Sequence, residues 1–241
     1  MPFILLQEKF GVLLKKSKER RRFTCHKGNF VIYCKLKKRK GGRVLPSFTK
    51  KAILESFLHI AAKKPLEKIT VRDIVDECGV NRNTFYYYFQ DIYAVVEEVG
   101  RDTIASVPAG LSLGEVLEQL YLKWAAFVAE HQRAARNLII SLGTDGAERY
   151  FAPALNEVLL EALSRDEAGR AFSADMQHLT LDFLRGAVIG VCVNSVRQKS
   201  PPDPTVCAAG LRRLARAMMT GLLNDMVATG QLPCDQEGVE K

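Results

Sequence analysis

The chain has 241 residues, of which 47% are hydrophobic and 26% are charged, and its formal net charge is +8. This composition is that of a globular protein with enough apolar material for one large domain or two smaller ones, and no apolar run reaches the roughly 18–20 residues that a membrane helix needs. The six cysteines are scattered without a C-x-x-C pair. This pattern predicts reduced thiols in the cytoplasm rather than a zinc site or a disulfide framework.

The positive charge is concentrated at the N-terminus. Residues 1–46 hold 14 Lys or Arg and 2 Asp or Glu, whereas the rest of the chain holds 21 basic and 25 acidic residues. Blocks of like charge are expected to be extended and solvated, so this basic extension is predicted to be disordered. One interpretation is an arm that contacts DNA phosphates or enters a minor groove. The alternative is that the natural protein starts near Val44, because Lys40-Gly41-Gly42 can be encoded by a ribosome-binding sequence.

The stretch KKAILESFLHIAAKK predicts the first helix, with Thr49 as its N-cap. Apolar residues at helical spacing, including Ile53 and Phe57, mark its buried side, and Pro65 then breaks the chain. Free N–H groups at a helix N-terminus bind phosphate. Thr49 and Lys50 are therefore candidate phosphate contacts, although Lys50 is equally well explained as an ordinary solvated lysine.

Residues 69–99 predict two short helices joined by a tight turn, followed by the start of a third. Thr70 caps the first helix, with Asp73 as the acidic partner of a capping box, and Gly79 ends it with a positive φ. Asn81 caps the second helix, so only two residues separate the helices. Two capped helices at this spacing predict a helix-turn-helix.

The second of these helices, Arg82–Phe89, has the composition of a DNA-recognition helix. Its leading end carries Arg82 and Asn83, whose polar groups can reach base edges in a major groove. Hydroxyl groups can bond phosphate oxygens and fix the register. The predicted phosphate contacts are Thr84, Tyr86, Tyr88 and Thr70, and Tyr87 belongs to the same DNA-binding set. The alternative is an aromatic-rich core helix, and Phe85 and Phe89 are predicted to be core, but three successive tyrosines cannot all face one core.

This segment resembles the DNA-binding domain of the TetR family of bacterial transcriptional regulators, from Phe48 to about Val99. The family pattern runs loosely T-x-x-x-I-A-x-x-A-G-V-S-x-x-T-x-Y-x-Y-F-x-x-K. The matching residues are Thr70, Ile74, Gly79, Val80, Thr84, Tyr86, Tyr88 and Phe89. The segment VNRNTFYYYFQD, together with KKPLEKITV upstream, is most similar to the subgroup that includes regulators of dihydroxyacetone kinase operons. Ile92 stands where the family has a lysine, which removes an expected phosphate contact.

Beyond the helix-turn-helix, the chain predicts longer helices after a Pro- and Gly-punctuated boundary region, Val107–Gly114. The predicted elements are a helix from Leu113 to about His131, a short helix through 137–142, a turn at 143–146, a helix from Tyr150 to about Leu163, a helix at Ser173–Val196 and a last helix after Pro204. The predicted organisation is all-α. It comprises the extension at 1–46, a three-helix DNA-binding domain at 47–99 and a helical regulatory and dimerisation domain at 100–241.

The last two helices are apolar on more than one side, so both sides are expected to be buried. The resemblance implies that they pair with their symmetry mates in a four-helix dimer interface; the alternative is that they fill the monomer core. The predicted interface residues are Leu184, Val188, Val191, Leu211, Leu214, Met218 and Leu222. Gly186 and Gly190, four residues apart, allow a close helix approach.

The resemblance also implies a ligand pocket in the C-terminal domain. The candidate lining residues are Tyr121, Trp124, Phe127, Phe151, Met176 and Phe183, although the same side chains serve equally as plain core. Glycine-rich nucleotide motifs, a G-x-S-x-G nucleophile and an H-E-x-x-H zinc motif are all missing from the sequence. It therefore predicts no enzyme, no cofactor and no metal site.

The function implied by the resemblance is that of a dimeric repressor. Each recognition helix enters one half-site of a palindromic operator on double-stranded DNA, and a small-molecule effector shifts the population and releases the DNA. The alternative is a regulator controlled by a protein partner, a kinase-like co-regulator, and acting as an activator. A roomy closed cavity favours the ligand, whereas a filled C-terminal core with an exposed apolar patch favours the partner.

Overall fold

The computed structural model describes residues 46–199 and 201–229, and the regular structure within them is helical, as predicted. The helices are α1 (Pro46–Ala61), α2 (Val71–Cys78), α3 (Arg82–Tyr88), α4 (Ile92–Ala105), α5 (Leu113–Glu130), α6 (Gln132–Arg165), α7 (Glu167–Ala171), α8 (Ala174–Arg197) and α9 (Pro204–Thr229). A short 3-10 helix, Leu66–Lys68, follows α1. The basic extension and the question of a natural start near Val44 lie outside the described residues.

Helices α1 to α3 form a small bundle, the head, around an aliphatic and aromatic core. Its side chains without solvent exposure include Ile53, Phe57, Ile74 and Phe85. Helix α1 begins at Pro46, because the fixed φ of proline suits the first helical position. The prediction that Thr49 caps this helix is therefore wrong, since Thr49 lies within its first turn.

Helix α4 connects the head to the remaining helices, the body. Asp91 caps it by accepting a hydrogen bond from the Ala94 N–H at 2.8 Å. Val96 packs in the head core, whereas Ile104 packs in the body core. Position 99, where the sequence predicts the end of the DNA-binding domain, lies inside this continuous helix, so the head and the body share α4.

Two helix pairs build the body: α9 packs along α5, and α8 packs along α6. Their core includes Leu117, Leu159 and Met219. Helix α6 is kinked at Gly143, whose φ of 66° and ψ of −168° fit only glycine readily. The predicted four-residue turn at 143–146 is thus reduced to one non-helical residue, and helical structure continues on both sides of it.

Helix α8 is long and apolar enough, by length and composition, to cross a membrane, with a mean hydropathy of 1.4 over 18 residues. The sequence predicts no such segment, because no apolar run in it reaches the roughly 18–20 residues of a membrane helix. Only 28% of this stretch is buried within the chain. Within this chain, α8 packs along α6.

Candidate nucleic-acid interface and regulatory cavity

Local hydrogen bonds fix the helix-turn-helix. The Asp73 N–H donates to Thr70 Oγ1 at 3.2 Å, and the Thr70 N–H donates to Asp73 Oδ2 at 2.8 Å, which completes the predicted capping box. Gly79 ends α2 in the left-handed conformation with a φ of 72°. Asn81 then caps α3 by accepting from the Thr84 N–H at 2.7 Å. The turn between α2 and α3 is therefore set by residues at its own edges.

Asp73 also ties α2 to the end of α1. Lys64 Nζ lies 2.7 Å from Asp73 Oδ2. The hydrogen bond from Lys64, followed by that from Thr70, lowers the pKa of Asp73 from 3.8 to about 2. The carboxylate is consequently ionised at any physiological pH, and the capping box persists there.

Two buried aromatic residues determine which way α3 faces. Phe85 and Phe89 insert into the head core, with their ring centroids 5.9 Å apart. Because they lie four residues apart, the other faces of the helix point away from the core. Arg82 and Asn83 are exposed at its leading end. α3 therefore presents a cation and a carboxamide together at its exposed leading end.

The three tyrosines of α3 are not equivalent. Tyr86 is 55% exposed and Tyr87 is 78% exposed, whereas Tyr88 is half-buried. Tyr87 and Tyr88 pack edge to face, with centroids 4.9 Å apart, and this contact orients both rings. Tyr86 and Tyr87 are therefore the more accessible members of the tyrosine run.

Three further phosphate candidates, Thr70, Thr84 and Lys50, already have partners within the chain. The Thr70 hydroxyl donates to Asp73 at 2.6 Å, and the Thr84 hydroxyl donates to Asn81 at 2.9 Å. Lys50 forms an ion pair with Glu98 of α4, and its ammonium lies 6.0 Å from the centre of the Phe89 ring. These groups reach a phosphate only by sharing or exchanging their present partners.

Ile92 is half-buried against the head core, so its apolar side chain has a packing role at the position where a lysine is expected. The head as a whole lacks a basic excess. Residues 47–99 contain seven Lys or Arg and eight Asp or Glu. Arg82 at the leading end of α3 is one of these seven basic residues.

The first part of α6 joins the head to the body, a contact that was not predicted from the sequence. Ala134 and Leu138 are buried in the head core. Asn137 Nδ2 donates to the Ala61 carbonyl at 2.8 Å, and Ser141 Oγ accepts from the Leu66 N–H at 3.2 Å. The positions 134, 137, 138 and 141 share one helix face, and this spacing is the only signal that the sequence offers.

A cavity of about 80 Å³ lies directly beneath this junction, between α4, α5, α6 and α8. Trp124, Phe127 and Phe151 of the predicted pocket set line it. Phe151 packs against both the head core and the body core. A ring carbon of Phe151 would lie only 2.3 Å from a Cβ added at Gly100, so the ring rests on the backbone of α4.

The other three predicted pocket residues lie elsewhere. Phe183 is 62% exposed on the outer face of α8, and Met176 is half-buried against the body core. Tyr121 is buried beside Cys207 of α9 and Ser195 of α8, and burial followed by the Cys207 thiol raises the pKa of its hydroxyl to about 12. These residues do not line the cavity.

The predicted interface residues divide between the core and the surface. Leu184 and Val188 are 2% and 6% exposed and belong to the body core, so they are not accessible to a second copy. Leu214 is 69% exposed. Four further members are half-buried: Val191, Leu211, Met218 and Leu222.

Comparison with known proteins places the head in a described family. Residues 53–99 match the family model for bacterial regulatory proteins of the tetR family. None of the curated proteins that were compared matches the chain.

Solved structures share the fold at low sequence identity. A TetR-family regulator from Streptomyces coelicolor A3 is 14% identical, with 75% of this chain and 99% of that chain covered and a TM-score of 0.52. The dihydroxyacetone kinase operon activator is 17% identical, with 76% and 96% covered and a TM-score of 0.47. A TetR transcriptional regulator from Streptococcus agalactiae is 18% identical, with 73% and 94% covered and a TM-score of 0.48.

Proposed function

Because the chain belongs to the TetR family of transcriptional regulators through the helix-turn-helix at residues 53–99, we propose that it is a cytoplasmic, homodimeric repressor. It binds a palindromic operator on double-stranded DNA and releases it when a small molecule enters the cavity beneath the head. The observation that carries this proposal is the orientation of α3. Its buried Phe85 and Phe89 hold Arg82 and Asn83 outward at the leading end.

The base-reading groups are Arg82 and Asn83. An arginine pairs with the O6 and N7 of guanine, and an asparagine pairs with the N6 and N7 of adenine, each through two parallel hydrogen bonds. Both side chains are exposed, and Asn81 fixes the start of the helix that carries them. Backbone movement during docking is therefore small, and the two groups enter the groove in a fixed register.

The phosphate contacts come from the exposed Thr70, Tyr86 and Tyr87, together with the half-buried Thr84 and Tyr88. Lys50 joins them when its ammonium turns from Glu98 towards a phosphate. Thr49 accompanies Lys50 on the first turn of α1. Because residues 47–99 carry no net positive charge, affinity depends on few cations or on the basic extension.

The dimer interface is formed by the outer faces of α8 and α9. The stripe on α8 consists of Leu179, Phe183, Gly186 and Gly190, and the stripe on α9 consists of Val206, Gly210, Leu214, Ala217 and Gly221. A Cβ added at any of the four glycines would meet no atom of this chain within 4 Å. These glycines are not needed for packing within one copy, but they allow the helices of a second copy to approach closely.

The proposed interface differs from the set of interface residues that was predicted from the sequence. Leu214 remains, whereas Leu184 and Val188 point into the body core. A charge at Leu214 tests the assignment: Leu214→Lys is expected to convert a dimer into a monomer in sedimentation-velocity experiments. Leu160→Lys, at a 48% exposed leucine on α6, is the matched control and leaves the dimer intact. A dimeric Leu214→Lys variant contradicts the assignment.

Ligand control is proposed to act through α4 and α6, because both line the cavity and both contact the head. α4 contributes Val96 to the head core and Thr103 to the cavity wall. α6 contacts the head through Asn137 and lines the cavity with Ile139. A ligand that separates these helices changes the spacing of the two heads in the dimer, and hence the affinity for two half-sites at a fixed distance.

Control by a protein partner is the second candidate function. The cavity is small, at about 80 Å³, and Leu179 and Phe183 are about two-thirds exposed on α8. If a partner, rather than a second copy, covers this face, the purified chain is monomeric on its own. A monomer that binds no operator until a kinase-like protein is added supports the partner and activation of transcription; a dimer that binds alone supports the repressor.

Operator binding provides the primary test of the proposal. The protein is titrated against the intergenic DNA upstream of its own coding sequence and against scrambled DNA. Arg82→Ala is expected to weaken operator binding by about 1–3 kcal/mol, or roughly 5- to 150-fold, and to relax base preference. The exposed Arg170 of α7 provides the control, since Arg170→Ala leaves binding unchanged. Equal weakening on both DNAs contradicts base reading by Arg82.

A further inference from the structure

The cavity beneath the head has a wall of one chemical character. Nineteen residues line it, and only three of them carry a polar side-chain atom: Thr103, Trp124 and Cys192. No charged side chain is among them. The chemistry of this wall therefore restricts the ligand.

Two of these polar groups, the Thr103 hydroxyl and the Trp124 N–H, already donate to partners within the chain. The Thr103 hydroxyl donates to the Val99 carbonyl at 3.0 Å. Trp124 Nε1 donates to Ser195 Oγ at 3.0 Å, and Ser195 in turn donates to the Cys192 carbonyl at 2.7 Å. Burial raises the pKa of the Cys192 thiol to about 12, so it stays neutral. A ligand in the cavity finds no counter-charge and no free N–H or hydroxyl donor among the lining side chains.

We infer that the cavity binds an uncharged, apolar molecule about the size of a single six-membered ring. A charged ligand would lose its hydration without gaining a partner, and a strongly polar neutral one would leave its acceptors unpaired. This assignment deepens the proposed ligand control and rests on it for its regulatory meaning.

The volume of the cavity limits the ligand to a single small ring and indicates how binding acts on the head. A cavity of about 150 Å³ lined by Leu, Ile and Phe stays dry and binds benzene, whereas this one measures about 80 Å³. A ring therefore enters only as the wall moves outward. Several wall residues also pack against the head core, and among them Phe151 packs against the body core as well. A ligand that displaces the Phe151 ring disturbs the contact between α6 and α4 directly.

Trp124 reports occupancy, because it is the single tryptophan of the chain and lines the cavity. The probe is bromobenzene, since a bromine atom in contact with an indole quenches its fluorescence. Saturable quenching of the full chain by bromobenzene is expected, with para-bromobenzoate, of similar size but charged, giving only linear collisional quenching. No saturable quenching, or equal saturable quenching by both compounds, overturns the inference. This comparison needs no variant.

Two variants fill the cavity from different positions on α6, Ala135→Val and Ala147→Val, since both alanines are buried and line it. Each is expected to weaken bromobenzene binding about tenfold or more, because a well-packed wall resists added methyl groups. Ala126→Val, at an exposed alanine of α5, is the matched control and leaves binding unchanged. Unaltered bromobenzene binding by folded filling variants overturns the assignment of the site.

Operator affinity measured on the same samples separates the two proposals. Saturable quenching with unchanged operator affinity supports the cavity assignment but contradicts ligand-controlled release. Specific operator binding without saturable quenching overturns the cavity assignment and leaves the DNA-binding proposal standing.

Discussion

Gly100 of α4 connects the cavity to the head, and replacing it with alanine tests that connection. A Cβ added at Gly100 would lie 2.3 Å and 2.5 Å from two carbon atoms of the Phe151 ring. Ordinary contact begins at 3.4 Å, so the ring must move by about 1 Å. The obstacle is a ring packed against both cores rather than the free end of a flexible side chain. Movement of Phe151 therefore disturbs the packing between α4 and α6.

The expected change in the free energy of unfolding follows from two opposing effects. Adding a methyl group to a packed core costs about 1–3 kcal/mol, whereas replacing glycine by alanine inside a helix gains about 0.5–1 kcal/mol. Gly100→Ala is therefore expected to lower the free energy of unfolding by about 1 kcal/mol. At a helical glycine with open space around it, the same substitution raises the free energy of unfolding, so the sign of the change is opposite at Gly100.

Urea unfolding measures this change at a fixed protein concentration, since dimerisation makes stability depend on concentration. Phe151→Leu provides the matched background, because a smaller side chain makes room for the new methyl group. In that background, Gly100→Ala is expected to be neutral or stabilising, which gives a coupling energy of about 1–2 kcal/mol between the two positions. Stabilisation by Gly100→Ala alone would refute the packing of Phe151 on α4.

Three further outcomes are expected. The lowered pKa of Asp73 contributes stability that is complete above pH 3.8 and is lost as the pH falls towards 2. The full pKa shift corresponds to about 2 kcal/mol. Because the side chain is about one-third exposed, the expected loss is about 1 kcal/mol. Urea unfolding should therefore show the advantage over Asp73→Asn shrinking by that amount between pH 5 and pH 2, and a constant difference would contradict it. Glu98→Gln frees Lys50 and is expected to steepen the salt dependence of operator binding by up to about 0.9 in log–log slope; an unchanged slope would remove Lys50 from the phosphate contacts. A chain that starts at Val44 lacks 14 Lys or Arg and is expected to show a slope shallower by about 0.9 for each phosphate that those side chains neutralise, whereas equal slopes would place residues 1–43 away from the DNA.

The sequence by itself determined the parts of this protein that depend on neighbouring residues. The capping box of Thr70 and Asp73, the positive φ of Gly79 and the cap at Asn81 each involve groups no more than four residues apart. Their chemistry is therefore readable without knowledge of the fold. Phe85 was likewise predictable as a core residue, because a short helix packs only one of its faces against the core.

Tertiary packing alone decided how the elements face one another. The Lys50–Glu98 pair joins residues 48 positions apart, and the bond from Asn137 to the Ala61 carbonyl joins residues 76 apart. No local pattern encodes such a pairing. The sequence also did not determine which face of α8 points towards the core, because a helix that is apolar on several sides can bury more than one of them.

The same ambiguity explains why only some of the predicted pocket residues line the cavity. Trp124, Phe127 and Phe151 line the cavity, whereas Tyr121 turns towards α8 and α9, and Phe183 faces outward. All are apolar or aromatic residues at helical spacing, so their periodicity is the same. What separates a cavity wall from a core or a surface is the position of the neighbouring helices, and that position is set by the summed packing of the whole chain.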